Sequence, residues 1–342
     1  MCSSVELSGK AKVSLQGALG DRWSTRLSGA TLAHQVDGWS TLTVAVALTP
    51  AELGDVKLAD YPATAELSWD SRALFRGHLA ASEIRGGSRL VLTYGDDLRL
   101  VGKRTTDAFG KKQSLEELLR KMASAVEMRP RFLGNFGEVL PSFPQSGRTQ
   151  LELLSALADQ HGFFFVTRSV SDEIVFFRPG ESVSEARIDA SMQSAETHIA
   201  QSSDGSFDRI ALRYFDAGTQ EPKEASLGRD VLYGPISGFT DKSVFREKLQ
   251  WKTAKGEFEA HVTDPSGFER AQSWLASHFS KRALLQERVT LSCYEPVALP
   301  GDRVEVTKTE TPAISDGMYL VTGLRVDVGA AIPRATLALA RA

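Results

Sequence analysis

Two adjacent carboxylates, Asp96 and Asp97, are the residues of this chain whose types most directly suggest chemistry. A carboxylate pair can cleave a glycosidic bond, but its members must lie on either side of the sugar linkage. Adjacent residues of a strand point to opposite faces, and a turn after Tyr94 accounts for both acids. We therefore interpret Asp96 and Asp97 as turn residues and not as a catalytic pair.

Residues 95–103, GDDLRLVGK, have the glycines and lysine of a phosphate-binding loop but not its spacing. Six residues separate Gly95 from Gly102, where the phosphate loop has four, and the segment follows a strand with no helix evident. We interpret it as a polar turn. The chain contains neither the GxGxxG pattern of dinucleotide binding nor the GxSxG pattern of serine hydrolases.

Residues that bind metals or form disulfides are few and dispersed. Cys2 and Cys293 do not make a disulfide framework, and Cys293 lies in an alternating stretch where it is expected to be a small buried hydrophobe. No HExxH or CxxC motif organises the histidines. The six histidines are His34, His78, His161, His198, His261 and His278. His161 ends a predicted helix, where we expect it to cap free carbonyl groups. We predict no catalytic, cofactor-binding or metal-binding residue, and hence no enzyme.

The composition excludes several classes of protein. The 342 residues are 42% hydrophobic and 24% charged, enough for real cores. A net charge of −3 lacks the basic excess of a protein that holds phosphate backbones. No apolar run reaches the ~20 residues of a membrane helix, and the start MCSSVELSGKAKV lacks the apolar stretch of a signal peptide. We therefore expect cytoplasmic synthesis without membrane insertion.

Residues 1–105 are predicted to form a first β-barrel module. Apolar residues alternate with small or polar ones over residues 41–48, the period of a half-buried strand. Residues 65–69 and 89–94 repeat this pattern, and Asp70-Ser71 and Gly86-Gly87 supply turns. Short strands at this spacing are typical of a small barrel or sandwich.

Residues 106–180 are predicted to form an α+β insert of two helices and a hairpin. The first helix, over residues 113–128, begins with a capping box of Ser114 and Glu117. The second, over residues 149–161, begins with Thr149 and Glu152 and ends at Gly162. The aromatic run that follows the second helix and its partner run predict a hairpin whose phenylalanines are core.

Residues 181–342 are predicted to contain a return strand, a helix and a second β-barrel module. We expect a connection over residues 180–206, a strand over 207–214 and a helix after Pro265. Alternating runs then flank a turn at residues 300–302. The predicted fold class is α+β, mainly β: two related small β-barrel modules with an inserted α+β segment.

Four segments, in order from about Leu74 to Leu339, resemble the phage late control protein D and VgrG hub families. The resemblance lies in four parts of the chain: LFRGHLAASEIRGGSRLVLTYGDDLRLVGKRTTDAF; SLEELLRKMASAVEMRPRF followed by QSGRTQLELLSALADQHGFFFV; FDRIALRYFDAGTQE; and the predicted helix from Phe268 with LPGDRVEV and GMYLVTGLRVDV. It implies a T4 hub-like fold with two related barrels per subunit.

The same resemblance implies a homotrimer in which six barrels approximate six-fold symmetry and join a hexameric tail tube to a trimeric spike. Its partners would be a tube protein above and a spike below, with DNA or an effector passing through the centre. The chain stops at Ala342 without the β-helix of longer VgrG proteins, so the spike is expected to be a separate polypeptide. No lysozyme-like segment is present, and wall digestion is not predicted. The expected location is a virion tail or an injection particle.

Two other functions remain open from the residues alone. A carbohydrate-binding tail or adhesin module would show rows of exposed aromatic residues on strands, whereas most aromatics here alternate inward. A hydrolase with a dispersed site is the other alternative. Mass in solution distinguishes them, because a hub should be trimeric and the others need not be.

Overall fold

The computed structural model describes residues 2–8, 10–17, 26–55, 61–101, 113–140, 149–193, 209–216, 221–228, 257–261, 281, 288–307, 316–329 and 333–341. Strands dominate these residues, and twelve of the strands belong to one curled sheet. The predicted mainly-β fold with an α+β insert is confirmed. The predicted boundary at residue 105 lies outside the described residues.

Seven strands form the N-terminal half of the sheet, in the order β1-β2-β5-β6-β7-β4-β3. Their neighbours are all antiparallel, and the sheet curls so that β1 returns beside β3. We call this unit the N-terminal barrel. Its elements are β1 (Cys2–Ser8), β2 (Ala11–Gln16), β3 (Leu27–Gln35), β4 (Thr41–Ala47), α1 (Pro50–Asp55), β5 (Thr64–Trp69), β6 (Arg72–Arg85) and β7 (Arg89–Gly95).

The turns of the N-terminal barrel fall where the sequence predicts them. Asp70, Ser71, Gly86 and Gly87 all have positive φ, the backbone conformation that tight hairpins need. The predicted alternation in β4 is confirmed, since Leu42 and its apolar neighbours two residues apart are buried.

The insert has its own core, formed by two longer helices, one short helix and a three-stranded sheet. Its elements are α2 (Leu98–Val101), β8 (Gln113–Ser114), α3 (Leu115–Ser124), β9 (Arg129–Leu133), β10 (Val139–Leu140), α4 (Gln150–His161), β11 (Phe164–Arg168) and β12 (Glu173–Phe177). Both predicted capping boxes are present, and Gly162 ends α4 in the left-handed conformation with φ 62°.

Three details of the insert differ from the prediction. The helix α3 ends at Ser124 and not at residue 128, because a turn follows in which Glu127 has φ 60°. The strand β9, which pairs in parallel with β12, was not predicted. The helix α2 occupies one turn of the segment predicted as a polar turn without a helix, and its Leu98 is buried in the insert's core.

The hairpin β11–β12 is buried on both faces, because it lies between the helices of the insert on one side and the barrels on the other. Side chains of one face pack among the helices, and side chains of the other pack with Leu320. The helix-facing set is Phe163, Phe165, Ile174 and Phe176, and the barrel-facing set is Phe164, Val166, Val175 and Phe177. The prediction that the aromatic run is core is confirmed.

The remaining strands form a C-terminal unit and a small separate sheet. In chain order they are β13 (Glu185–Ile188), β14 (Arg209–Asp216), β15 (Glu221–Gly228), β16 (Glu257–His261), β17 (Arg288–Cys293), β18 (Arg303–Val306), β19 (Gly317–Val328) and β20 (Arg334–Arg341). The small sheet has the order β15-β14-β16. The strand β13 lies in the segment predicted as a connection, so that prediction is wrong for these residues. The helix predicted after Pro265 lies outside the described residues.

We call β13 and β17–β20 the C-terminal barrel. Its order is β13-β18-β19-β20-β17, and an isolated bridge between Gln193 and Cys293 brings the chain after β13 back to β17. The second half of β19 pairs with β3 from Gly323–Gln35 to Val328–Ala30, which joins the two barrels in one sheet. One hydrophobic core extends through both.

The two barrels contain the same four-strand arrangement, β4–β7 and β17–β20. In the first set, the long strand β6 pairs with β5 and, through a hairpin, with β7, and β7 also pairs with β4. In the second set, the long strand β19 pairs with β18 and, through a hairpin, with β20, and β20 also pairs with β17. The long strands β6 and β19 also carry a bulge at matching places, between Leu79 and Ala81 and between Val321 and Gly323. The amides of Leu79 and Val321 donate to the carbonyls of Ala63 and Asp302, each at 2.9 Å. The predicted pair of related modules is therefore visible as an internal structural repeat.

Candidate functional site

The two carboxylates considered for catalysis lie in different surroundings. Asp96 is only 2% exposed, and its Oδ2 accepts hydrogen bonds from the Ser40 amide at 2.8 Å and from the Thr167 hydroxyl. Burial raises the pKa of Asp96 to about 6. The Asp97 carboxylate is partly exposed and lies 3.4 Å from His78 Nε2. The sequence missed the burial of Asp96, which links the N-terminal barrel to β11.

The C-terminal barrel holds the same strand by an ion pair. The Arg168 guanidinium lies 2.9 Å from Asp302 Oδ1, and both side chains are largely buried. Asp302 Oδ2 also accepts the Leu299 amide at 2.8 Å, which fixes the predicted turn at residues 300–302. Burial lowers the pKa of Arg168, although Asp302 opposes that effect. An arginine held this way depends on its partner, because a buried unpaired charge is costly.

A third polar contact lies beside the β3–β4 turn. The Asp37 amide donates to the Phe165 carbonyl at 2.8 Å, and the Phe165 amide donates to Asp37 Oδ1 at 3.0 Å. The buried Lys281 ammonium lies 2.7 Å from Asp37 Oδ2 and 3.2 Å from Asp159 Oδ1. Burial raises the pKa of Asp37, against the opposing effect of Lys281. Together with the contacts of Asp96 and Arg168, this contact fixes β11 to both barrels, and we call the set the polar joint.

His161 does not cap its helix as predicted. The Arg178 guanidinium donates to the His161 carbonyl, and it also contacts Glu138 at 2.7 Å. The His161 ring lies instead with Nδ1 3.2 Å from Glu138 Oε1. Burial alone would raise the pKa of Glu138, but His161 and Arg178 outweigh it and lower that pKa. The C-terminal end of the helix is thus satisfied by an arginine that lies far along the chain, which helix spacing does not reveal.

Other chemically capable residues are buried or dispersed. Cys293 is buried as predicted, and burial, reinforced by Glu295, raises the pKa of its thiol to about 12. Within the described ranges no three histidine, cysteine or acidic side chains cluster as a metal site would require. No helix in the described part of the chain combines the length and apolarity needed to cross a bilayer.

The second half of β6 is a strand edge without a partner among the described residues. β6 pairs with β5 from Arg72 to His78 and with β7 from His78 to Arg85, so beyond Leu79 only one edge is occupied. Every side chain from residue 81 to residue 89 is exposed. Ile84 is 53% exposed, the highest value among the large hydrophobic residues of the described chain. Among the described residues this edge is a surface to which a further strand can be added, whereas the polar joint is buried within the chain.

Solved structures share this architecture over nearly the whole chain. The 43 kDa tail protein of prophage MuSo2 from Shewanella oneidensis matches with a TM-score of 0.65 at 11% identity, covering 98% of this chain and 97% of that one. The tail protein from Neisseria meningitidis MC58 matches with a TM-score of 0.65 at 12% identity, covering 92% of each chain. This chain has a phage tail protein fold.

A secretion component has the same fold in a longer chain. The Escherichia coli c3393 protein, described as a component of the type VI secretion system with structural similarity to T4 bacteriophage tail proteins gp27 and gp5, matches with a TM-score of 0.59 at 10% identity. The match covers 93% of this chain and 74% of that one. No family model matches the sequence, and no curated protein matches it. At these identities the likeness establishes the fold alone.

Proposed function

We propose that this protein is a structural tail hub of a contractile tail or injection machine. Three copies form a ring of six barrels that joins a hexameric tail tube to a trimeric spike. The internal repeat of β4–β7 and β17–β20 carries the proposal, since a trimer of such chains presents six similar units. Its likeness in fold to solved tail proteins supports the same function.

The joint between the two barrels supports a ring of fixed geometry. Repeated units that meet head to tail close into a ring when the rotation between them returns to its start. Within one chain, β3 and β19 already join two barrels by backbone hydrogen bonds, which sets a defined angle between them. A rigid pair of this kind repeated three times gives the pseudo-six-fold symmetry that a hexameric tube needs.

The proposed partners follow from this role. A tube protein docks on one side of the ring and a separate spike polypeptide on the other, and DNA or an effector passes through the centre. The work of the chain is shape and contact, without bond-breaking chemistry. The proposed role is the same in a phage tail, a bacteriocin, a secretion system and an extracellular injection particle.

The test is the mass and shape of the purified chain. Light scattering should give three times the 37.2 kDa chain mass, and class averages from electron microscopy should show six similar lobes around a hole. A chain that stays monomeric both alone and with its tube and spike proteins would overturn the ring. A three-lobed particle without the duplicated units would overturn the six-fold geometry.

A further inference from the structure

We propose that the unpaired edge of β6, Ala81 to Arg85, is the contact that closes the ring, and that a strand of the C-terminal barrel of the next copy pairs with it. This inference rests on the proposed function and names the interface between copies.

The internal repeat identifies what this edge does in the other barrel. Because the bulges align, Ala81 corresponds to Gly323 and Arg85 to Asp327. In the C-terminal barrel that stretch of β19 pairs with β3, a strand of the N-terminal barrel. In the N-terminal barrel the matching stretch of β6 is unpaired among the described residues. Each barrel therefore has the same docking edge, and among the described residues one of the two is occupied and the other is not.

The matching side chains of β6 and β19 differ in their exposure to solvent. Ile84 corresponds to Val326, which is fully buried opposite Leu32 of β3. Both Ile84 and Val326 pair across their hairpins with buried core residues, Leu90 and Ala335. Ile84 is nonetheless 53% exposed, because none of the strands that the structure describes lies on that side of it. An apolar residue in a core register, left exposed at a strand edge, fits a surface that is covered on assembly.

The glycines that follow the two strands show the same difference. A Cβ added at Gly329 would lie 2.6 Å from Gly29 Cα of β3, so β3 comes into backbone contact there. A Cβ added at the matching Gly87 would meet nothing within 4 Å. The space that β3 fills beside the C-terminal barrel thus has no counterpart strand beside the N-terminal barrel in the part of the chain that the structure describes.

A second copy is the occupant that this geometry favours. On the occupied edge of β19, the added strand is β3, which comes from the N-terminal barrel. The chain's own C-terminal barrel is held at β3, which is separated from β6 by β7 and β4 in the sheet. A C-terminal barrel that pairs with the open edge of β6 must therefore belong to another copy. Such a head-to-tail contact repeats without using up its surfaces and closes after three copies. The edge lacks proline and lysine, two residue types that block strand addition, and its two charged side chains, Glu83 and Arg85, pair with each other at 2.7 Å.

The test compares Ile84→Asp with Val170→Asp, a matched change at another exposed branched residue, 39% exposed and in the insert. Light scattering of the full chain should show wild type and Val170→Asp as trimers. At a protein concentration at least tenfold higher than these two need to remain trimeric, Ile84→Asp should still be dissociated. Hydrogen exchange gives the direct readout: amides of residues 81–85 should be protected at least tenfold in the wild-type ring and unprotected in the dissociated variant. Ile84→Ser, a milder change, replaces Ile84→Asp if the latter does not fold.

The outcomes separate the interface from the ring itself. A trimer whose amides at residues 81–85 exchange as fast as an open edge, or an Ile84→Asp chain that trimerises like wild type, would overturn the interface and leave the ring standing. A wild-type chain that never assembles, with or without its partners, would remove the ring and this contact with it.

Discussion

The two barrels of this protein carry one strand arrangement in two environments. In the C-terminal barrel the second half of β19 is covered by β3, and Val326 is fully buried. In the N-terminal barrel the second half of β6 has no second partner among the strands that the structure describes, and Ile84 is exposed. The hairpin, the bulge and the register are alike, so local sequence determines the strand while the neighbour determines burial.

The barrels also hold the insert in different ways. The N-terminal barrel presents Asp96, a buried carboxylate that accepts hydrogen bonds from two uncharged donors, the Ser40 amide and the Thr167 hydroxyl. The C-terminal barrel presents Asp302, which forms an ion pair with Arg168. The two barrels thus contact the same strand, β11, through different polar interactions: hydrogen bonds to a buried carboxylate in one case and an ion pair in the other.

The largest expected effect distinguishes the two matching apolar residues. Val326→Asp should destabilise the chain by about 4 kcal/mol or more, because it buries an unpaired charge between β3 and β20. Ile84→Asp should change the free energy of unfolding of the single chain by less than about 0.5 kcal/mol, as exposed sites usually do. Urea unfolding at a concentration where both are monomeric measures the difference. Equal losses for the two variants would mean that the edge of β6 is covered within the chain.

A smaller effect concerns the ion pair of the C-terminal barrel. Arg168→Ala should cost about 3 kcal/mol, since it leaves the buried Asp302 carboxylate without its cation. Arg325→Ala is the control, because Arg325 and Asp327 form a pair at 2.7 Å in which both side chains are exposed, and it should cost less than about 1 kcal/mol. Thermal unfolding of both variants checks the ranking, and similar losses would contradict a buried joint.

The matching glycines predict a further difference between the barrels. Gly329→Ala should cost about 2–3 kcal/mol, because its φ of 112° is strained for alanine and the new Cβ would press on the Gly29 backbone. Gly87→Ala has only the left-handed φ of 70° to accommodate, at about 1 kcal/mol, and meets no neighbour. Urea unfolding of the monomeric chain compares them. A costlier Gly87→Ala would contradict the open space beside β6.

Sequence patterns predicted the elements whose signals are local. The capping boxes at Ser114 and Thr149, the end of α4 at Gly162 and the turn at Asp70 all depend on residues within a few positions of each other, and all are present. The same reasoning missed β9 and β13, short strands that pair in parallel with distant partners. Parallel pairing leaves no hairpin signal, because the partner comes from elsewhere in the chain.

Local sequence patterns also could not predict the polar joint or the exposed edge of β6, because both depend on contacts between distant parts of the chain. Asp96 follows a strand in a sequence typical of a turn, yet it is buried and accepts a hydrogen bond from Thr167 of the insert. Ile84 lies in the register of a core residue, opposite Leu90, yet it is exposed because no other described strand covers it. Arg178 caps a helix that ended many residues before it. Each of these depends on which distant segment lies alongside.

The smallest predicted effect is a pH dependence at the contact between the N-terminal barrel and the insert. The pKa of Asp96 is about 6 in the folded chain, above its ordinary value of 3.8, because burial disfavours the charged form. The folded state therefore holds this proton more tightly than the unfolded state. The resulting stabilisation is full below about pH 3.8 and is lost as the pH rises through about 6. Asp96→Asn should remove this slope and gain about 1–2 kcal/mol at pH 7.5, where the wild-type carboxylate is buried and charged.

Comparing variant with wild type isolates Asp96 from carboxylates whose pKa values are lowered, such as Glu138 and Asp327, because their opposite pH dependence is common to both chains. The measurement is urea unfolding of the two proteins from pH 4 to pH 8. The free-energy difference should grow in favour of Asn between pH 4 and pH 6 and then level off. Asp302→Asn should behave in the opposite sense at pH 7.5 and destabilise the chain, since it leaves the Arg168 cation without its counterion. If Asn at position 96 were instead destabilising at every pH, the ionised carboxylate would be holding β11 as firmly as the ion pair does, and the electrostatic difference between the two barrels would disappear.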